Sequence, residues 1–167
     1  MLARIVRALW RNDDGTALVE ATLLVPMLLT LVAGVYEFSW YFYKQQLVET
    51  GVRDAARYLA RTAPDSDPPT NPCSNATNVT YAQNIATYGA TTTALGAQRV
   101  ATWSPSDVVL TCTTIANSTG SYLGAATIYI VTATTTFADP ALGFFGYLGL
   151  TAPNLSASHS QRSIGPG

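Results

Sequence analysis

The sequence predicts an α+β protein: a long N-terminal helix, first transmembrane and then amphipathic, followed by a small domain with an antiparallel sheet. Three observations lead there. From Thr16 to Tyr36 the chain reads TALVEATLLVPMLLTLVAGVY, an apolar run with one charge that spans roughly 30 Å as a helix. The next stretch keeps apolar residues at helical spacing, with Tyr41, Val48, Val52, Ala55 and Leu59 on one face. Beyond residue 100, runs rich in Val, Ile, Thr and Tyr carry partial period-two alternation.

Charge separates the two parts. Charged residues make up only 11 % of the chain, and the net charge of -1 gives no reason to expect nucleic acid as a partner. Seven of the nine basic and six of the ten acidic groups lie before residue 64. The remainder is rich in Thr, Ser, Ala and Asn, which suits a solvated, β-forming, extracytoplasmic surface. Three regions follow: a basic leader over 1–15, the helix over 16–62, and an extracytoplasmic α+β domain over 63–167.

The leader holds Arg4, Arg7 and Arg11 and closes on Asn-Asp-Asp-Gly. It is not an ordinary secretory signal, because the apolar run is too long and lacks a small-residue cleavage site at its far end. Aromatic residues Tyr36, Trp40, Tyr41, Phe42 and Tyr43 crowd that far end, where amphipathic rings favour the headgroup region, and Trp10 suits the opposite one. The three leader arginines outnumber Lys44 and Arg53 after the span, which places the N-terminus in the cytoplasm and the bulk of the chain outside. Cys73 and Cys112 are the only cysteines. On an oxidising side they would form a disulfide; the other reading is two buried thiols.

The helix should extend to about residue 62, roughly 70 Å, with Glu49 and Arg53 as an i,i+4 pair. A linker is expected over 64–77. A short helix is expected over Thr80–Tyr88, capped by Asn78 and stopped by Gly89. Val108–Ile115 and Ala126–Phe137 read as strands of an antiparallel hairpin, with a turn over Ser118–Ser121. Leu155–Ile164 is a third, weaker strand. Between them Ala141–Leu150 (ALGFFGYLGL) is apolar and too short to span a bilayer, so it reads as core packing or a membrane-proximal loop.

An enzyme is not expected. His159 is the one histidine and reads as an exposed strand residue; no metal-ligand spacing, nucleophile elbow or phosphate loop stands out, and no cofactor or small-molecule substrate is implied. Sequons at Asn75, Asn78, Asn117 and Asn154 would suggest glycosylation in a eukaryotic secreted chain and are incidental in an Asn/Thr-rich bacterial one.

The chemistry lies in Gly15, Thr16 and Glu20. A glycine closing a basic leader, followed five residues on by a glutamate in an apolar helix, is the arrangement of type IV prepilins. Glycine admits the backbone to the narrow cleft of a membrane aspartyl protease, and cleavage after it would free the amine of Thr16. Glu20 lies about 7 Å beyond that end, shallow enough to cost less than the ~2.5–3.5 kcal/mol of a charge at a helix centre. In a filament its carboxylate would meet a neighbour's new amine, and pairing offsets the desolvation of both. Pro26 removes the backbone bond to Thr22 and is expected to kink or loosen the helix.

Over Gly15–Arg61 the chain resembles the TadE/TadG-like proteins of the tight-adherence (Tad) pilus. That family's block runs approximately G-x-x-x-V-E-F-A, then an apolar run with a proline, then a helix ending in A-A-R-x-A-A. Gly15, Val19, Glu20, Pro26 and Ala55-Ala56-Arg57-Tyr58 stand at those places. Phe137–Leu150 resembles the family's C-terminal half. Ala21 departs from it: the family has phenylalanine there, so an aromatic packing group is lost while the glycine–glutamate spacing stays. The resemblance implies a minor pilin or pseudopilin, cut by a prepilin peptidase and partnered by other pilins. The alternative is an uncleaved, signal-anchored periplasmic binding or scaffold protein.

Overall fold

The computed structural model describes residues 14–62, 71–118, 127–140, 143–147 and 149–163. The leader's arginines and Trp10, residues 63–70 of the expected linker, the centre of the hairpin turn and Ile164 lie outside them. Helix α1 (Asp14–Arg61) is followed by a 3-10 turn (Pro72–Ser74), α2 (Ala76–Tyr88), a second 3-10 turn (Pro105–Asp107), β1 (Val108–Ala116), β2 (Thr127–Phe137), α3 (Gly143–Tyr147) and β3 (Leu155–Arg162). The chain divides into two compact units after Ser39.

The first unit is the N-terminal half of α1. Its leucines and valines, Leu18, Val19, Leu23, Leu24, Val25, Leu28, Leu29, Leu31 and Val32, are all exposed and fall on every side of the helix. Water would not tolerate such a surface uncovered, and α1 is long and apolar enough to cross a membrane. Hydroxyls on this half fold back onto the helix: Thr22 donates to the carbonyl of Leu18 at 2.7 Å and Thr30 to that of Pro26 at 2.9 Å. Such back-bonds satisfy polar groups where no water is at hand.

The second unit begins at Trp40. Its sheet is three-stranded and antiparallel, in the order β1-β2-β3. Register pairs Cys112 with Val131 and Ala133 with His159. Alternation is cleanest on the central strand, where Val131, Ala133, Thr135 and Phe137 are buried and the residues between them are not. The other face carries Thr and Ser, with the Thr132 and Ser160 hydroxyls bonded at 2.9 Å. Strand propensity and period two thus agree, and the expected hairpin forms.

The buried face joins one core with Val48, Val52, Ala55, Ala56, Leu59 and Ala60 of α1 and with Ala82 and Ala86 of α2. The amphipathic stripe of α1 is therefore a wall of the domain, as its spacing predicts. Trp103 fills the centre, fully buried. Its ring stacks on Phe137 at 5.9 Å, and its Nε1–H donates to Thr135 Oγ1 at 3.0 Å. The same hydroxyl donates to the Asp107 carbonyl at 2.9 Å, so the buried polar atoms are satisfied.

Three expectations fail locally. Residues 71–77 are not loop: Asn71 caps the 3-10 turn and α2 already starts at Ala76. Its N-cap is Asn75, not Asn78; the Asn75 side chain accepts from the amides of Thr77 (3.0 Å) and Asn78 (3.2 Å). Gly89 does stop α2, in the left-handed region at φ 72°. Glu49 and Arg53 do not pair: Glu49 accepts from Gln45 Nε2 at 3.2 Å instead.

Gly51 is buried where α1 meets α2. A Cβ there would lie 2.3 Å from the Ala86 carbonyl oxygen and 2.7 Å from the Trp103 ring. Gly51→Ala gains about 1 kcal/mol of helix propensity. It also forces two backbones apart, and overpacking of that kind costs about 1–3 kcal/mol or more. A net loss of stability is expected, read as a lower midpoint in thermal unfolding of the detergent-solubilised chain followed by near-ultraviolet circular dichroism.

Candidate processing and docking segment

The Gly15, Thr16 and Glu20 triad stands at the start of α1. Asp14 is the first described residue of α1, so all three lie in its first two described turns, and they are exposed. A Cβ added at Gly15 meets nothing within 4 Å. Packing against the described residues therefore does not demand a glycine there. Pro26 lies inside α1, which is helical on both sides of it. Thr22, whose carbonyl would have accepted the missing proline N–H, has its hydroxyl on Leu18, and Thr30 covers the proline's own carbonyl.

Cys73 and Cys112 form a disulfide with Cα atoms 5.9 Å apart, closing a separation of 39 residues. It ties the 3-10 turn before α2 to the middle of β1.

The second unit holds two ion pairs that sequence reading did not find. Lys44 of α1 is bonded to Asp139, just past β2, and both are buried. Thr102 Oγ1 donates to the other Asp139 oxygen at 3.4 Å, and the Lys44 ammonium lies 5.2 Å from the Trp40 ring centre. The second pair joins Arg99 to Asp54 at 2.8 Å and is half-exposed. Neither has a sequence signal beyond the isolated charge, since the partners are far apart in the chain.

His159 lies on β3 but is half-buried, not exposed. Register places it on the helix-facing side of the sheet, beside Ala133, and its Nε2 is buried without a hydrogen-bond partner. It lines a shallow cavity of about 250 Å³ with Glu49, Arg53 and Ser156–Ser158. No group of three or more metal-ligating side chains occurs among the described residues.

Among the described residues one helix is long and apolar enough to cross a membrane, and it is joined to a disulfide-closed α+β domain. A family model described as TadE-like protein matches residues 15–57. The match covers the apolar half of α1 and most of its domain-packed continuation, and it starts at Gly15; over that segment the chain is similar to TadE-like proteins. No curated protein and no solved structure matches the chain.

Proposed function

We propose that the protein is a minor pilin or pseudopilin of a Tad-type pilus, with a structural rather than a catalytic role. It is held in the bacterial inner membrane by α1, with the N-terminus cytoplasmic and the domain periplasmic. A prepilin peptidase cuts between Gly15 and Thr16, and Glu20 then docks on the freed amine of a neighbouring pilin. The observation that carries this reading is the TadE-like match beginning at Gly15, with Glu20 five residues into the same apolar helix. The disulfide supports the periplasmic placement, because such bonds persist in oxidising compartments. No described residue crowds Gly15, so its small size fits an encounter with another protein.

A second reading has one observation in its favour: α1 runs through the Gly15–Thr16 bond. A protease takes its substrate extended, so this turn must unwind before it is cut, whereas an uncleaved anchor needs no such step. N-terminal sequencing of the membrane-extracted protein separates the two. Thr16 as first residue is expected, and intact Met1 would support the anchor. Gly15→Leu should abolish processing, and Glu20→Gln should leave processing intact while lowering piliation at least tenfold. Unchanged piliation in Glu20→Gln would remove the docking role.

A further inference from the structure

The segment between β2 and β3 leaves and rejoins the domain at one place on α1. It departs at Asp139, bonded to Lys44. It returns at Asn154, whose carbonyl accepts from the Tyr41 hydroxyl at 3.3 Å. Gln45 then closes the clamp on Ser156, donating to its carbonyl at 2.6 Å and accepting from its amide at 3.4 Å. Both ends are thus fastened to residues 41–45, little more than one turn of helix.

The opposite end of the domain is equally well defined. Arg57, Ala60 and Arg61 share a cavity with Gln161 and Arg162, so α1 and β3 run in the same direction. The β1–β2 hairpin connection, reached at Ala116 and left at Thr127, is therefore at the end remote from Tyr41. The β2–β3 segment emerges where α1 enters the domain, five residues or about 7.5 Å of rise after Tyr36, the last residue of the apolar run.

Its composition is unusual for a solvent-facing connection. From Pro140 to Gln161 there is no Asp, Glu, Lys or Arg. Phe145 is buried, whereas Tyr147 is 85 % exposed and Leu150 57 % exposed. On the turn of α1 to which both ends of the segment are fastened, Trp40, Phe42 and Tyr43 are also exposed, and the Trp40 and Tyr43 rings stack at 5.4 Å. Aromatic side chains with polar tips on an uncharged surface match the headgroup layer of a bilayer.

We propose that the turn carrying Tyr147 and Leu150, together with Trp40, Phe42 and Tyr43 of α1, forms a second membrane contact in the headgroup layer of the leaflet from which α1 emerges. The proposal rests on reading the apolar half of α1 as a membrane span. Continuity with that span selects a lipid surface over a protein partner: the aromatic patch begins within one turn of its end, and the segment is fastened to that same turn.

Single cysteines at Tyr147→Cys and Leu150→Cys, spin-labelled in the full chain with its native disulfide intact, test this in vesicles of phosphatidylcholine and phosphatidylglycerol. Leu28→Cys reports the span and Ile115→Cys the remote end of the domain. Collision with oxygen is expected to exceed collision with a water-soluble nickel complex several-fold at residues 147, 150 and 28, and the reverse at 115. A water-like ratio at 147 and 150 with a lipid-like one at 28 would overturn the proposal alone. A water-like ratio at 28 would instead overturn the span and the proposal with it. Protection from both colliders at 147 and 150 would mean contact with protein, such as a second copy, and would also overturn it.

Discussion

Lys44→Met is expected to destabilise the domain by about 3–5 kcal/mol, the usual result of leaving one member of a buried ion pair without its partner. Lys44 and Asp139 are both buried, and their pairing joins α1 to the chain leaving β2. Removal of the ammonium leaves the buried Asp139 carboxylate without its counter-charge, with the Thr102 hydroxyl donating to it at 3.4 Å. Methionine keeps the length and much of the volume of lysine, so the loss is electrostatic and not a cavity. The control is the double variant Lys44→Met with Asp139→Leu, which removes both charges. It should recover most of the loss, since replacing a whole buried pair by apolar groups is often close to neutral. Thermal unfolding of the detergent-solubilised chain reads both, and a single variant as stable as the wild type would show that the pair is solvated.

The second large effect is expected from Cys112→Ser. A cross-link between residues separated by 39 positions removes chain entropy from the unfolded state worth about 4 kcal/mol. The bond also fixes the turn that starts α2 against β1. Without it α2 retains Gln83 Nε2 on the Val108 carbonyl at 2.9 Å and the packing of Ala82 and Ala86, so the fold should persist while its unfolding midpoint drops. Cys73→Ser and the double variant should match Cys112→Ser, because one bond is lost in each. Reductant should lower the wild type to the level of the variants and leave the variants unmoved. A wild type indifferent to reductant would show that the cross-link contributes nothing to stability.

How far the sequence could be read depended on whether each signal was local. The apolar run, the stripe through Val48, Val52, Ala55 and Leu59, and the strands at Val108 and Thr127 carry their own periodicity, and each appears within a residue or two of its expected place. The cysteine pairing had one solution once bonding was assumed. The caps were harder: Asn71, Asn75 and Asn78 stand in one short stretch, all good N-caps, and only tertiary context selects Asn75 for α2. Lys44 and Asp139 were invisible because 95 residues separate them and each alone resembles an ordinary surface charge. His159 was misplaced although its strand alternates, with Leu155, Ala157 and His159 on the buried side and serines on the other; a lone histidine beside small polar residues carries too little hydrophobic weight to declare its side. For the Gly15, Thr16 and Glu20 segment the position is plain in both sequence and structure; its chemistry depends on other molecules.

The tight passage at Gly51 has a mechanical corollary. Sliding the domain half of α1 by one turn, about 5.4 Å, would drive Leu47 or Ala55 into a slot that has no room even for a methyl group. The Lys44–Asp139 and Asp54–Arg99 fastenings, at two other heights along the same rod, forbid the same slip. Tension applied along the helix axis is therefore shared by all of these attachments at once, in shear. The domain should travel with its helix as one piece, and not peel from it strand by strand.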